Sequence, residues 1–429
     1  MANSKTPHWR RFPATSTVAY YDPFSQHIEL CDVDSKELIS AFDYKKDVHK
    51  TIKVLPILFH EFRHWFDHTT TLWGIRRLAE ATNAINAWTN QDAKELWRIN
   101  RYARNVNRDF AADYFTTVND TVAPKDAANQ WIAELSCGVG FGQEGKTNES
   151  DPIFFTRYLW NDNRLACRVP FSISALLETN AMHTEISSNL FFTSLLDNID
   201  EKIEMDRIEK LYTNSLYSPE LAVYSTAVHA VANKMNLRSG HLAYPLASAL
   251  SAYCLNFPEQ DFDNLRIPEE LEPFGERNAA AKARLDRGFL YLALSHFGDK
   301  KLVGSPKDWV LDAAQKANLP DLEILKERVA SEREAIAKEV SNGLAKDRFE
   351  ETLKIGQEMS ELVGTFPDPK TILSSMHKLV IPPIICNDTE VHLLLRAKDF
   401  WSRKKIEEWS GNCSTWSRTF TEFLSACLR

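Results

Sequence analysis

The chain has no excess of positive charge, no paired cysteines and no long apolar run, and each absence excludes a class of protein. Lys and Arg number 51 against 59 Asp and Glu, a net charge of -8. Binding a phosphate backbone needs concentrated positive charge, so no nucleic-acid partner is expected. The short basic clusters Arg10-Arg11 and Arg403-Lys404-Lys405 read as solvated surface. The seven cysteines, at 31, 137, 167, 254, 386, 413 and 427, are odd in number, scattered and without a CxxC pair. That pattern fits reduced thiols in a cytoplasm, not a disulfide framework or a cysteine zinc site. Residues Met1 to Arg11 hold no apolar core and do not read as a secretory signal. The longest apolar stretch, His241 to Phe257, is broken by Pro245 and several serines. It reads as a buried helix, so no membrane partner is expected.

What remains is an ordinary globular composition, 44% hydrophobic and 26% charged over 429 residues, enough for one large domain or two to three smaller ones. The short runs Thr17-Val18-Ala19-Tyr20-Tyr21 and His27-Ile28-Glu29-Leu30-Cys31 predict a hairpin. Helical periodicity follows, with Pro56 suited to a first helical turn and Thr69-Thr70-Thr71 with Gly74 to its end. Gly138, Gly140, Gly142 and Gly145 predict an irregular loop or edge strand, because the dinucleotide fingerprint is incomplete there. Asp151 to Arg168 reads as aromatic and irregular, and a helix is expected from Pro170 through Leu190. Nearly everything from Ser187 to Phe366 reads as helical, without a solenoid repeat. The expected fold class is predominantly α with a small β-sheet, divided into residues 1-200 around a catalytic core, a helical region 201-366 and a C-terminal segment 367-429 packing on that helical region.

The chemistry sits in Phe59-His60-Glu61-Phe62-Arg63-His64-Trp65-Phe66-Asp67-His68. His60-Glu61-x-x-His64 is an HExxH motif. Residues four apart share one helix face, about 6 Å apart along the axis, so both imidazoles can reach one metal ion. Glu61, one step round, can hold the metal's water and take its proton. Leu58, Phe59, Phe62, Trp65 and Phe66 form an apolar wall, which predicts a buried helix whose ionisable residues must be paired or bind metal. The plainer reading is two core histidines hydrogen-bonded to Glu61 and Asp67.

Catalytic zinc takes three protein ligands and leaves one position open. His68 lies about 12 Å from His60 along the axis, while ligands of one tetrahedral ion sit about 3.3 Å apart, so it cannot share the ion. Two acids on other segments are candidates. Glu178 stands on an otherwise apolar helix, with small Ala181 one turn later and Glu185 on the same face. Glu80 reads more simply as a surface acid beside Arg76 and Arg77. Glu178 is the preferred third ligand.

The segment His60 to Asp67, followed by threonines and Gly74, resembles the active-site helix of zincin metallopeptidases. Leu177-Glu178-x-x-Ala181-x-x-x-Glu185 is similar to the distal glutamate helix of gluzincin-type peptidases. The resemblance covers about residues 16 to 200 and is specific only at HExxH. It departs from thermolysin-like enzymes, which carry an Asp four residues after the ligand Glu where this chain has Met182; Asp67 or Glu185 would have to support the histidines instead. The resemblance implies a Zn2+ cofactor held by His60, His64 and Glu178, with Glu61 as general base for attack on a peptide carbonyl. Its oxyanion needs a donor beside the metal, for which His183, His229, Tyr224 and Arg168 are candidates, each with an ordinary structural role as its simpler reading. The leading expectation is a cytoplasmic zinc-dependent endopeptidase acting on a protein or peptide substrate. The alternatives are a non-enzymatic interaction protein built on a zincin-like core, or a metal-dependent hydrolase of a non-peptide amide. The intact Glu61 speaks against the first of these, since a structural metal site needs no base.

Overall fold

Two β-prone runs on either side of Asp22-Pro23-Phe24-Ser25 pair as the expected antiparallel hairpin, β1 (Ala19–Asp22) with β2 (His27–Leu30). In this computed structural model the described residues are 18–44, 46–121, 131–141, 145–237, 240–301 and 304–427; Arg10, Arg11, Thr17 and Gly142 lie outside them. Four helices follow: α1 (Ser35–Ala41), α2 (Val48–Thr70), α3 (Leu72–Thr89) and α4 (Trp97–Tyr114). Four strands come next: β3 (Thr117–Val118), β4 (Ile132–Phe141), β5 (Thr147–Leu159) and β6 (Leu165–Pro170). A helical stretch then runs through α5 (Ile173–Thr193), α6 (Asn198–Leu216), α7 (Ala222–Met235), α8 (Gly240–Leu255), α9 (Glu276–Ala283) and α10 (Arg287–Phe297). It continues through α11 (Pro306–Lys316), α12 (Leu322–Lys338), α13 (Lys346–Val363) and α14 (Pro369–Ser374). The chain ends in β7 (Ile384–Cys386), β8 (Val391–His392) and α15 (Arg403–Cys427). The fold is predominantly α with two small four-stranded sheets.

The chain does not divide into consecutive segments at 200 and 366. One compact unit gathers residues up to Arg108, Ser187–Leu196 and Glu334 onward; the other holds Asp109–Ile186 and Asp197–Arg333. The reason in the first unit is a sheet of order β1-β2-β7-β8. There β7 lies parallel to β2, with Ile28 opposite Ile384 and Leu30 opposite Cys386. The tail packs on α13 of the helical region, as expected, and also completes the sheet of the amino-terminal hairpin. One core joins Ile28 and Leu30 to Leu55, Phe59 and Phe62 of α2, to Ile355 and Met359 of α13, and to Ile381 and Ile384. Helix α13 reaches α2 through Gly356, where an added Cβ would overlap the Thr69 carbonyl.

A row of asparagines fixes the loop between α12 and α13. Asn83, Asn86 and Asn90 fall on one face of α3, three and four residues apart. Asn83 Oδ1 accepts from Ser341 N at 2.7 Å. Asn86 Oδ1 accepts from Ala345 N at 2.9 Å, and its Nδ2 donates to Ser341 O at 2.8 Å. Asn90 Nδ2 donates to Asn342 O at 3.0 Å. Side-chain amides here do for the loop's backbone, the buried Ala345 N–H above all, what a strand or helix partner would do.

The second unit is built on a sheet of order β3-β6-β5-β4, so glycine-bearing β4 is an edge strand. Residues 151 to 168, read from sequence as irregular, form most of β5 and β6. Their alternation is hidden because both faces carry aromatic residues: Tyr158 packs into a core with Val169, Ala175 and Val223, while Phe155 lies under the Arg168 guanidinium at 4.6 Å. Helix α8 is buried, as expected of its apolar sequence. Arg287, itself buried, donates to the Cys254 and Phe257 carbonyls at 2.8 and 2.6 Å and so satisfies groups at the end of α8. Among the described residues no helix is long and apolar enough to cross a membrane.

Asn86→Ala strips two backbone groups of the partners that replace water, one of them the buried Ala345 N–H. It is expected to cost about 2 kcal/mol or more of stability, whereas exposed Asn90→Ala should cost less than about 1 kcal/mol. Denaturant midpoints of the two variants measure this. Equal losses would show that the asparagine row does not hold the loop.

Candidate metal centre

Helix α2 begins well before Pro56, correcting the sequence expectation. Asp47 caps it, accepting from Lys50 N at 3.1 Å, and the Thr51 hydroxyl donates to Ala41 O at 2.8 Å. Pro56 therefore lies inside the helix, where its ring nitrogen cannot donate to the carbonyl one turn back. The other end is as the threonines suggest. Thr71 ends α2, its hydroxyl donating to Asp67 O at 2.6 Å, and also caps α3 by accepting from Gly74 N at 3.1 Å. Gly74 belongs to the first turn of α3 rather than to the end of α2. A Cβ there would overlap the His68 backbone, so this tight corner needs glycine.

The apolar wall is as expected: Leu58, Phe59, Phe62, Trp65 and Phe66 are all buried. Within it lies an ion pair that the sequence reading missed. Arg63 Nε donates to Asp67 Oδ1 at 3.0 Å, with both side chains about 1% exposed. Its only signal in the sequence is the four-residue spacing. Asp67, one candidate for supporting the histidines, thus has a buried guanidinium as partner. Glu185, the other, accepts from the Tyr212 hydroxyl at 3.0 Å.

His60 and His64 present adjacent rings on α2, with centroids 5.0 Å apart. His60, Glu61 and Glu178 are each only 8% exposed. One ligand atom from each of His60, His64 and Glu178 lies within 4.8 Å of the others. Among the described residues no other three His, Cys, Asp or Glu side chains gather in this way. Two imidazoles and a carboxylate are the donor set of a catalytic zinc that keeps one position open.

The other candidates have different employment. Glu80 is not a surface acid: it is 8% exposed, is paired with Arg77, and accepts from Asn105 Nδ2 at 2.6 Å. His68 is a structural histidine, with Nδ1 3.0 Å from the His64 carbonyl and its ring against Tyr21 and Trp73. Burial pushes its pKa down to about 4. His229 donates from Nε2 to Leu216 O at 2.8 Å among the rings of Trp131, Tyr158 and Tyr217. Arg168 stacks on Phe155, Tyr224 packs at the edge of the Tyr158 core, and His183 is half-buried on α5. Comparison with protein families, curated proteins and solved structures finds no significant match.

Burial lowers the His229 pKa from its usual 6.5, so its ring is neutral in the folded protein. As pH falls, the unfolded chain takes up this proton first. The neutral ring's contribution is complete above pH 6.5 and is lost as pH falls from there toward the folded-state value. Between about pH 7.5 and about pH 5.5 the wild type should therefore lose more unfolding free energy than His229→Gln. Parallel losses in urea titrations would place the proton-linked group elsewhere.

Proposed function

We propose that His60, His64 and Glu178 hold a catalytic divalent ion, zinc by the chemistry of the donors, and that the chain is a metallopeptidase. The observation that carries this reading is the convergence of three ligand atoms from two helices far apart in sequence, with Glu61 beside them in an HExxH arrangement. A bound ion at such a site supplies Lewis acidity that brings the pKa of a water toward about 7.

The chain's own residues do the rest. Glu61 follows His60 by one residue, about 100° round the helix, which turns it off the face the two histidines share. It receives the attacking water's proton and returns it to the nitrogen of the leaving amine. Its near-complete burial keeps bulk water from competing for that proton. A peptide is the proposed substrate, and a cytoplasmic setting is part of the proposal; the described cysteines are all free thiols.

Purified protein should contain about one zinc per chain. His60→Ala, His64→Ala and Glu178→Ala should each weaken binding by at least about tenfold, the scale of losing a ligand or its support. Glu80→Ala should lower the melting temperature, because it strands Arg77, yet leave the zinc in place. Elemental analysis and competition with a chelator decide between these, and a zinc loss confined to Glu80→Ala would reverse the ligand assignment.

Glu61→Gln keeps shape and metal but cannot take a proton, so hydrolysis should fall by about 10²-fold or more. Terminal labelling of cell-lysate proteins would compare wild type, Glu61→Gln and chelator-treated protein. New termini made equally by all three would sink the catalytic reading.

A further inference from the structure

Glu178 stands on α5, where every residue from Ile173 to Met182 is buried. A helix buried on all sides has no solvent-facing stripe to set its rotation. Apolar packing alone loses uniqueness before it loses stability. A metal ligand nevertheless needs that rotation fixed. Helical side chains end about 5 to 6 Å from the axis. Turning α5 by about 20° would carry the Glu178 carboxylate about 2 Å, the length of a metal–ligand bond.

Two polar side chains of α5 are tied to other helices of the second unit. Asn180 Oδ1 accepts from Ser248 Oγ of α8 at 2.8 Å, and both side chains are buried. Glu185, half-buried, accepts from the Tyr212 hydroxyl of α6 at 3.0 Å. Tyr244 of α8 lies near the same carboxylate: burial first, and then the Glu185 charge, push the Tyr244 phenol's pKa up. Tyr244 and Ser248 are four residues apart and share one face of α8. The ties to α5 lie on opposite sides of it. Asn180, two residues past Glu178, points about 200° away from it. Glu185, seven residues past, points within about 20° of the Glu178 direction and about 10 Å further along the axis.

We propose that the Asn180–Ser248 and Glu185–Tyr212 hydrogen bonds are positioning contacts of the metal centre, holding α5 at the rotation that brings Glu178 to His60 and His64. The inference rests on Glu178 being a ligand. Apolar groups of the same shape can replace a buried hydrogen-bonded pair at nearly no cost, so stability alone does not call for a polar pair here. Register does, as when one buried asparagine fixes the register of a coiled coil.

The test uses the full chain with zinc as the probe. Competition with a chelator gives the zinc affinity, and urea unfolding of the metal-free protein gives the stability. Asn180→Leu combined with Ser248→Ala makes the first tie apolar, and Tyr212→Phe removes only the hydroxyl held by Glu185. Metal-free, both variants should unfold near the wild-type midpoint. Both should bind zinc about tenfold more weakly, the lower end of what losing support around a ligand costs. A purely structural pair would not separate the two measurements in this way. Tyr212→Phe keeps its ring and carries the test should the double variant not fold. Wild type and Glu178→Ala are measured alongside. Equal zinc affinity in those two would end the ligand reading and this inference with it. If Glu178→Ala loses zinc while the folded tie variants keep wild-type affinity, the ligand stands and the positioning role falls.

Discussion

Helix α2 carries ionisable side chains into an apolar interior, and each of those groups must be answered where it stands. An isolated buried charge is far too costly to keep, and α2 answers several of these groups from its own sequence. Arg63 and Asp67 neutralise each other one turn apart. His68 stays uncharged and makes its hydrogen bond to the His64 carbonyl. The threonines that close the helix turn their hydroxyls back onto carbonyls of the preceding turn. These are local solutions, each spaced by a helical turn. They allow the opposite requirement, that Leu58, Phe59, Phe62 and Trp65 be wholly buried, to be met by the same helix. His60 and His64 then differ from His68 in kind. Their partner among the metal-binding residue types, Glu178, comes from another helix, so their placement is a tertiary property, which is what a ligand site requires.

Glu80 and Glu178 show how one residue type takes two roles from its surroundings. Both are about equally buried. Glu80 is enclosed by Arg77, Arg101 and Asn105, so its oxygens are saturated with donors. A carboxylate so engaged has little left to offer a cation. Glu178 is buried on α5, with one of its oxygens grouped with a ring nitrogen from each of two imidazoles, a donor set that suits a cation. Burial alone would not have separated the two acids; the sign of their neighbours does.

Much of this was legible in the sequence, and what was not has physical causes. The HExxH spacing, the apolar wall and the apolar helix around Glu178 are local patterns, and local patterns survive being read one residue at a time. The start of α2 was misplaced because Pro56 is a strong first-turn signal, yet the Asp47 cap and the Thr51 bond to Ala41 outweigh it. Strands β5 and β6 were missed because aromatic residues on both faces erase the period of two. Glu80 was read as exposed because its arginines are adjacent in sequence; that Arg101 and Asn105 also close over it is visible only once α4 packs on α3. The Arg63–Asp67 pair is spelled out at helical spacing on a helix whose apolar wall predicts burial, but which ionisable residues pair there shows only in the folded chain; for the asparagine row the helical spacing says nothing of the distant loop it holds.

The division into consecutive domains failed for a reason that bears on how the protein must be handled. Strand β2, residues 27 to 30, pairs with β7, residues 384 to 386, and the core around α2 includes Phe192, Ile355 and Ile384. A second small core sets Cys413, Trp416 and Phe420 of α15 against Ala84 and Ile85 of α3. A fragment ending near residue 200 would keep the HExxH helix and Glu178 but lose one strand neighbour of β2 and much of the cover over α2 and α3. Its buried apolar surface would meet water, at about 25 cal/mol for each Å2 so exposed. Helix α2 therefore takes much of its cover from segments far along the sequence, α13 and β7 among them, and contacts so distant in sequence are costly to close during folding.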